Sequence, residues 1–145
     1  MVHPLGIRSL PIPEDVTALH IFESDSNIKG HSSYVSAKAA DAAAALELVA
    51  DLALPHIHRW RGSFPKDCIF VAPHAKEASG DNATPQVFAE LCALVCGSTS
   101  DIDIVQTTKV HHTGADAMER LISRPAFEGN VNTRACYVLI DDVTS

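Results

Sequence analysis

The residues whose types and spacing best suit chemistry stand at the end of the chain. Tyr137–Ile140 (YVLI) is an apolar run, and Asp141-Asp142-Val143-Thr144-Ser145 follows it directly. Such a run reads as a strand buried in a sheet. Two adjacent carboxylates at the mouth of a buried strand repel each other. A divalent cation, a polyhydroxyl ligand or a flanking base would offset that repulsion. The small hydroxyl residues behind them suit a turn whose backbone N–H groups cradle a phosphate. A second reading fits equally well: Asp141 caps a following helix and Asp142 is solvated.

Other candidates are weaker in their spacing. His56 and His58 (HIHRW) would put both rings on one side of an extended segment. No third ligand lies nearby, so partial exposure in a connector is the better reading than a metal site. Trp60, between Arg59 and Arg61, either stacks on a base, anchors an interface or packs on the surface. The four cysteines are Cys68, Cys92, Cys96 and Cys136. They form no CxxC pair and lie in apolar segments, which reads as buried reduced thiols. Cys92 and Cys96, four residues apart on an apolar helix stripe, are core residues before they are ligands.

The composition can build a scaffold for these groups. The chain has 145 residues, of which 46% are hydrophobic and 20% charged, enough for one domain with a core. Its net charge of −7 repels phosphate backbones and anionic membranes, so neither nucleic acid nor membrane is an expected partner. No apolar run approaches the roughly 20 residues that span a bilayer. The start, MVHPLGIR, lacks the pattern of a signal peptide, and a cytoplasmic location is the expectation.

Residues 3–13 read as an extended arm and 16–22 (VTALHIF) as a strand. Val35, Ala39, Ala42, Leu46, Val49, Ala50 and Ala53 recur at helical spacing, which predicts one helix from Ser33 to about Leu54, ended by Pro55. Residues 56–65 read as a connector. Residues 68–72 (CIFVA) predict a buried strand, and 73–83 a polar loop. Thr84-Pro85 predicts the N-cap and first residue of a helix striped by Phe88, Leu91, Cys92 and Val95 and stopped by Gly97. Residues 101–105 (DIDIV) predict a second strand. Thr113 and Asp116 predict the start of a short helix carrying Met118, Leu121 and Ile122. Residues 125–134 read as a loop before the strand 137–140. Strand, helix, strand, helix, strand implies a parallel sheet with ligands beyond the carboxyl ends of its strands. The loops after Ala72, Val105 and Ile140 are then expected on one rim.

The segment YVLIDDVTS resembles the start of the phosphoribosyl-pyrophosphate (PRPP) loop of type I phosphoribosyltransferases. Residues 69–85 (IFVAPHAKEASGDNATP) are similar to that family's first core strand, pyrophosphate-contacting loop and next helix. Residues 107–129 are similar to the mobile loop of its competence-associated branch, with Lys109, Thr113, Arg120 and Phe127 at the matching places. The resemblance covers roughly residues 66–145. It implies an α/β fold, a three-layer parallel sheet of phosphoribosyltransferase type, incomplete, with an N-terminal strand–helix extension. Residues 1–65 would be arm, strand and helix, serving as hood or flank, and 66–145 the core with its C-terminal part missing.

The resemblance also implies roles. Asp141 and Asp142 would hold the ribose hydroxyls, and Val143, Thr144 and Ser145 would begin the phosphate cradle. Pro73, His74, Ala75 and Lys76, with Lys109 and His111, would face the pyrophosphate, where negative charge develops. Lys76, beside Glu77 and Asp81, fits a surface ion pair as well. Mg²⁺ would ride mainly on PRPP. The acceptor would be a nitrogenous small molecule, and a homodimer is a further expectation. The chain ends at Ser145, inside the phosphate loop, which predicts a fragment or a chain completed by a partner. The same fold without catalysis, as a module for phosphate-ligand binding or assembly, is the alternative. A phosphohydrolase or flavodoxin-like metal site would want an acid at the end of the first strand, where Ala72-Pro73-His74 supplies none.

Overall fold

The computed structural model of the chain describes residues 19–21, 24, 26–75, 82–106 and 127–141. Of the strand expected at 16–22, residues 19–21 are described, and they form no strand. The N-terminal arm and the helix expected around Met118, Leu121 and Ile122 lie outside the described residues.

Three strands form a parallel sheet: β1 (Ile69–Val71) lies in the middle, between β3 (Thr99–Asp101) and β6 (Tyr137–Leu139). Ile69 is in register with Thr99 on one side and with Tyr137 on the other. The expected second strand at 101–105 is split. Its first residue ends β3, and its last begins β4 (Val105–Gln106), which belongs to another sheet. There β2 (His74–Ala75) pairs parallel to β4, and β5 (Phe127–Glu128) pairs antiparallel to it. Two expected loops thus contain strand residues. Gly129 follows β5 with φ 140°, and a Cβ there would stand 2.8 Å from Asp103 O and from Ile104 Cα, so only glycine allows this approach.

The single helix expected over 33–54 is two helices, and a third follows. After α1 (Ser26–Lys29), α2 runs Tyr34–Lys38 and α3 runs Ala42–Leu52. Between them Ala40 adopts φ 69°, a left-handed conformation that no helix accommodates. Asp41 then caps α3, its side chain accepting from the N–H groups of Ala43 and Ala44. The break changes the phase of the apolar face. Ala45, Leu48 and Val49 are buried, while Val35, Ala39, Ala42 and Leu46 are exposed. Pro55 does not end the helical region. It sits in the first turn of α4 (Leu54–Trp60), where its missing N–H costs nothing, so residues 56–60 of the expected connector are helical.

α5 (Ala83–Cys96) is the helix expected between the first two strands, and Gly97 ends it with φ 65°. Its cap differs from the expectation. Asn82 accepts from the Thr84 N–H, which places Thr84 and Pro85 inside the first turn. Leu48, Val49, Ile57, Phe70, Ala89 and Cys92 form one core, with Val138 and Ile140 packed on it, so α3, α4 and α5 cover the sheet face that carries Phe70. Phe64 meets the Phe70 ring edge-on at 5.1 Å.

Thr84 is 1% exposed, and its Oγ1 has no hydrogen-bond partner among the described residues. A buried hydroxyl without a partner destabilises the fold, and valine has nearly the same shape. Thr84→Val is therefore expected to raise stability by about 1 kcal/mol, read as a higher thermal midpoint. A lowered midpoint would mean that the hydroxyl is satisfied.

Candidate functional site

Because β1, β3 and β6 run parallel, their carboxyl ends share one rim. The Ile140 N–H donates to Val71 O at 2.8 Å, so the ladder continues one residue past β6. This bond sets the chain at Asp141 beside the chain at Ala72 and Pro73. Asp141 is exposed there, and Pro73 is half-buried. The loops after Ala72 and Ile140 therefore meet as expected. β3, second of these strands along the chain, leaves the rim at Asp101 rather than at Val105.

His74 and Ala75 continue outward as β2, in register with Val105 and Gln106. Successive strand residues point their peptide groups to opposite edges, and β2 is an outer strand of its sheet among the described residues. One of the two residues thus turns its peptide groups to β4 and the other turns them outward. Lys76, Lys109, His111, Asp142, Val143, Thr144 and Ser145 lie outside the described residues.

Asp101 is the rim residue that sequence reasoning missed. It ends β3 opposite Val71, so the central strand has an acid beyond each neighbour, Asp101 and Asp141. Two strand spacings separate β3 from β6, about 10 Å across the sheet. The Asp103 N–H donates to Asp101 Oδ1 at 2.9 Å, which ties this carboxylate to its own loop. The signal was present in Asp101-Ile102-Asp103, where an acid two residues before another N–H favours such a turn.

A second constellation escaped the sequence reading as well. The Ser33 N–H donates to His31 Nδ1 at 3.1 Å, and His31 Nε2 meets Asp51 Oδ2 at 3.0 Å. Ser33 Oγ donates to Glu47 Oε2 at 2.7 Å. Serine, histidine and carboxylate together suggest nucleophilic catalysis, but the donors run the wrong way. Nδ1 accepts, so Nε2 carries the proton and donates to Asp51. Neither ring nitrogen is left to take the serine proton, which already goes to Glu47. The network instead fastens the segment before α2 to α3.

His56 and His58 lie on α4, so two residues of spacing turn them to different sides of a helix rather than one side of a strand. The Arg59 guanidinium donates to His56 Nδ1 at 2.9 Å, and the His56 ring lies 5.7 Å from that of Trp60. No three or more His, Cys, Asp or Glu side chains come together to hold a metal among the described residues.

The cysteines differ from one another. Cys68 and Cys92 are buried, as expected, but Cys96 is half-buried and Cys136, just before β6, an outer strand among the described residues, is exposed. Burial, with the neighbouring Cys96 and Cys68 thiols, pushes the Cys92 pKa up to about 12. Between pH 9 and 12 the unfolded chain therefore loses a proton that the native chain keeps. Stability from this group is intact below pH 9 and falls as pH rises through that window. From pH 8 to pH 10 the wild type is expected to lose about 1 kcal/mol more than Cys92→Ala in urea unfolding. Equal losses would mean that Cys92 ionises as readily in the native chain.

The chain is 36% identical over 98 residues to an uncharacterized protein of Haemophilus influenzae, a match taking in 68% of this chain and 22% of that protein. It is 37% identical over 111 residues to Protein TraN of Escherichia coli, with 75% of this chain and 25% of TraN matched. The chain thus spans about a quarter or less of the length of these curated relatives. No protein-family profile matches it, and no solved structure does. No helix among the described residues is long and apolar enough to cross a membrane.

Proposed function

We propose that the chain is phosphoribosyltransferase-like: it binds Mg-PRPP and transfers the phosphoribosyl group to a nitrogenous acceptor, releasing pyrophosphate. One observation carries the reading. The acid-bearing end of β6 lies against the end of the central strand β1, through the Ile140–Val71 hydrogen bond, on the rim of a parallel sheet. Ligands of such sheets bind at that rim.

In this reading Asp141 and Asp142 hold the ribose hydroxyls while C1 gains positive charge. Val143, Thr144 and Ser145 begin the turn around the 5′-phosphate. The chain from Pro73 to Lys76, with Lys109 and His111, steadies the departing pyrophosphate. Mg²⁺ neutralises phosphate oxygens of PRPP. An exposed carboxylate at the rim suits a cation that arrives on a substrate, since Mg²⁺ needs only one or two protein carboxylates beside phosphates.

The test is an assay of pyrophosphate release from PRPP and Mg²⁺ with a panel of bases, run beside calorimetric titration of Mg-PRPP. Release with one base supports transfer. Binding without release favours a non-catalytic phosphate-ligand module, and neither would leave the rim without this ligand.

A further inference from the structure

At the end of the sheet opposite the rim, two cysteines stand side by side. Ile69 is in register with Tyr137, and the Ile69 N–H donates to Cys136 O at 2.8 Å. Cys68 and Cys136 are thus the next pair down the same ladder. Neighbouring strands lie about 4.8 Å apart, within the Cα separation of about 4.4–6.8 Å that a disulfide spans. Strand alternation puts both side chains on the face that carries Phe70 and Val138. Solvent access is unequal: Cys68 is 1% exposed, whereas Cys136 is exposed.

We propose that Cys68 and Cys136 form a peroxide-responsive dithiol, in which Cys136 takes the oxidant and Cys68 closes a disulfide across β1 and β6. The Cys136 thiolate attacks the outer oxygen of a hydroperoxide. The S–O bond forms, the O–O bond breaks, and the alkoxide or hydroxide leaves, taking up the proton that the Cys136 thiol released to become alcohol or water. Cys136 becomes a sulfenic acid, oxidised by two electrons while the peroxide is reduced. The Cys68 sulfur then attacks the Cys136 sulfur. The S–S bond forms, the S–O bond breaks, and the departing hydroxide combines with the Cys68 proton as water. Burial, with the adjacent Cys136 adding to it, pushes the Cys68 thiol pKa up, so Cys68 meets the sulfenic acid rather than the peroxide. The oxidised form ties β6 to β1 below the rim.

Trypsin separates the partners, because Cys68 falls in residues 67–76, Cys92 and Cys96 in 77–109, and Cys136 in 135–145. The native chain is treated with hydrogen peroxide, alkylated in denaturant and digested without reductant. The expected result is a loss of two of the four alkylatable thiols and a cross-linked 67–76/135–145 peptide that dithiothreitol separates. Cys136→Ser, at an exposed position, keeps the fold by circular dichroism and leaves Cys68 fully alkylated. Four free thiols after treatment, Cys136 as sulfinic acid with Cys68 alkylated, a link to 77–109, or a Cys136–Cys136 link between chains would each overturn the proposal.

Discussion

If the chain turns over Mg-PRPP as proposed, Asp142→Asn is expected to lower the rate of pyrophosphate release at least tenfold. The amide keeps the size of the side chain and can still accept one hydrogen bond from a ribose hydroxyl, but it removes the negative charge. In the proposed reaction positive charge grows on the sugar ring as the bond to pyrophosphate lengthens, so that carboxylate matters more in the transition state than in the bound substrate. Tenfold corresponds to about 1.4 kcal/mol, modest for a charge facing an oxocarbenium-like ring. The loss should fall on turnover more than on Mg-PRPP affinity, which calorimetry reads separately. Equal rates for the two proteins would remove the acidic pair from the mechanism.

Phe70→Ala is expected to cost about 3–5 kcal/mol of stability. Phe70 is fully buried at the centre of β1, held edge-on by Phe64 and covered by α3, α4 and α5. Truncation opens a cavity in the strand that both neighbours pair with. A domain of this size holds about 5–15 kcal/mol in total, so the variant stands near the threshold of unfolding. The comparison is Leu46→Ala, where the side chain is 49% exposed and the expected loss is below about 1 kcal/mol. Urea midpoints measure both, and similar shifts would show that the core does not centre on Phe70.

The positions of strands β1 and β6 and of the helix between β1 and β3 were legible because their signals are local, but YVLI is not the buried strand expected, since Leu139 is 71% exposed on an outer strand among the described residues. CIFVA and YVLI are dense in apolar residues, and Gly97 supplies the left-handed stop that α5 needs. The parallel order then followed from alternating strands and helices. The break before α3 was not legible, since Ala40 carries no mark of its left-handed backbone and alanine favours helix. Asp41 was the available signal, a capping residue hidden in an alanine run. Pro55 misled for the opposite reason, because proline both follows helices and starts them. β4 and β5 are two residues each, too short for any period to register. At the rim, the place of Asp141 after a strand was legible, whereas that of Asp101 depended on which end of DIDIV the sheet takes up.

Among the described residues β6 is an outer strand, paired through three residues with β1 alone. Short outer ladders open locally at far lower free energy than the strand they lean on. The amides of β6 are therefore expected to exchange with solvent faster than those of β1 in a hydrogen-exchange measurement, with Asp141 sharing in each opening. A ligand gripping that acid would close the strand along with itself, so part of its binding free energy would go into ordering the last turn of the sheet's zipper.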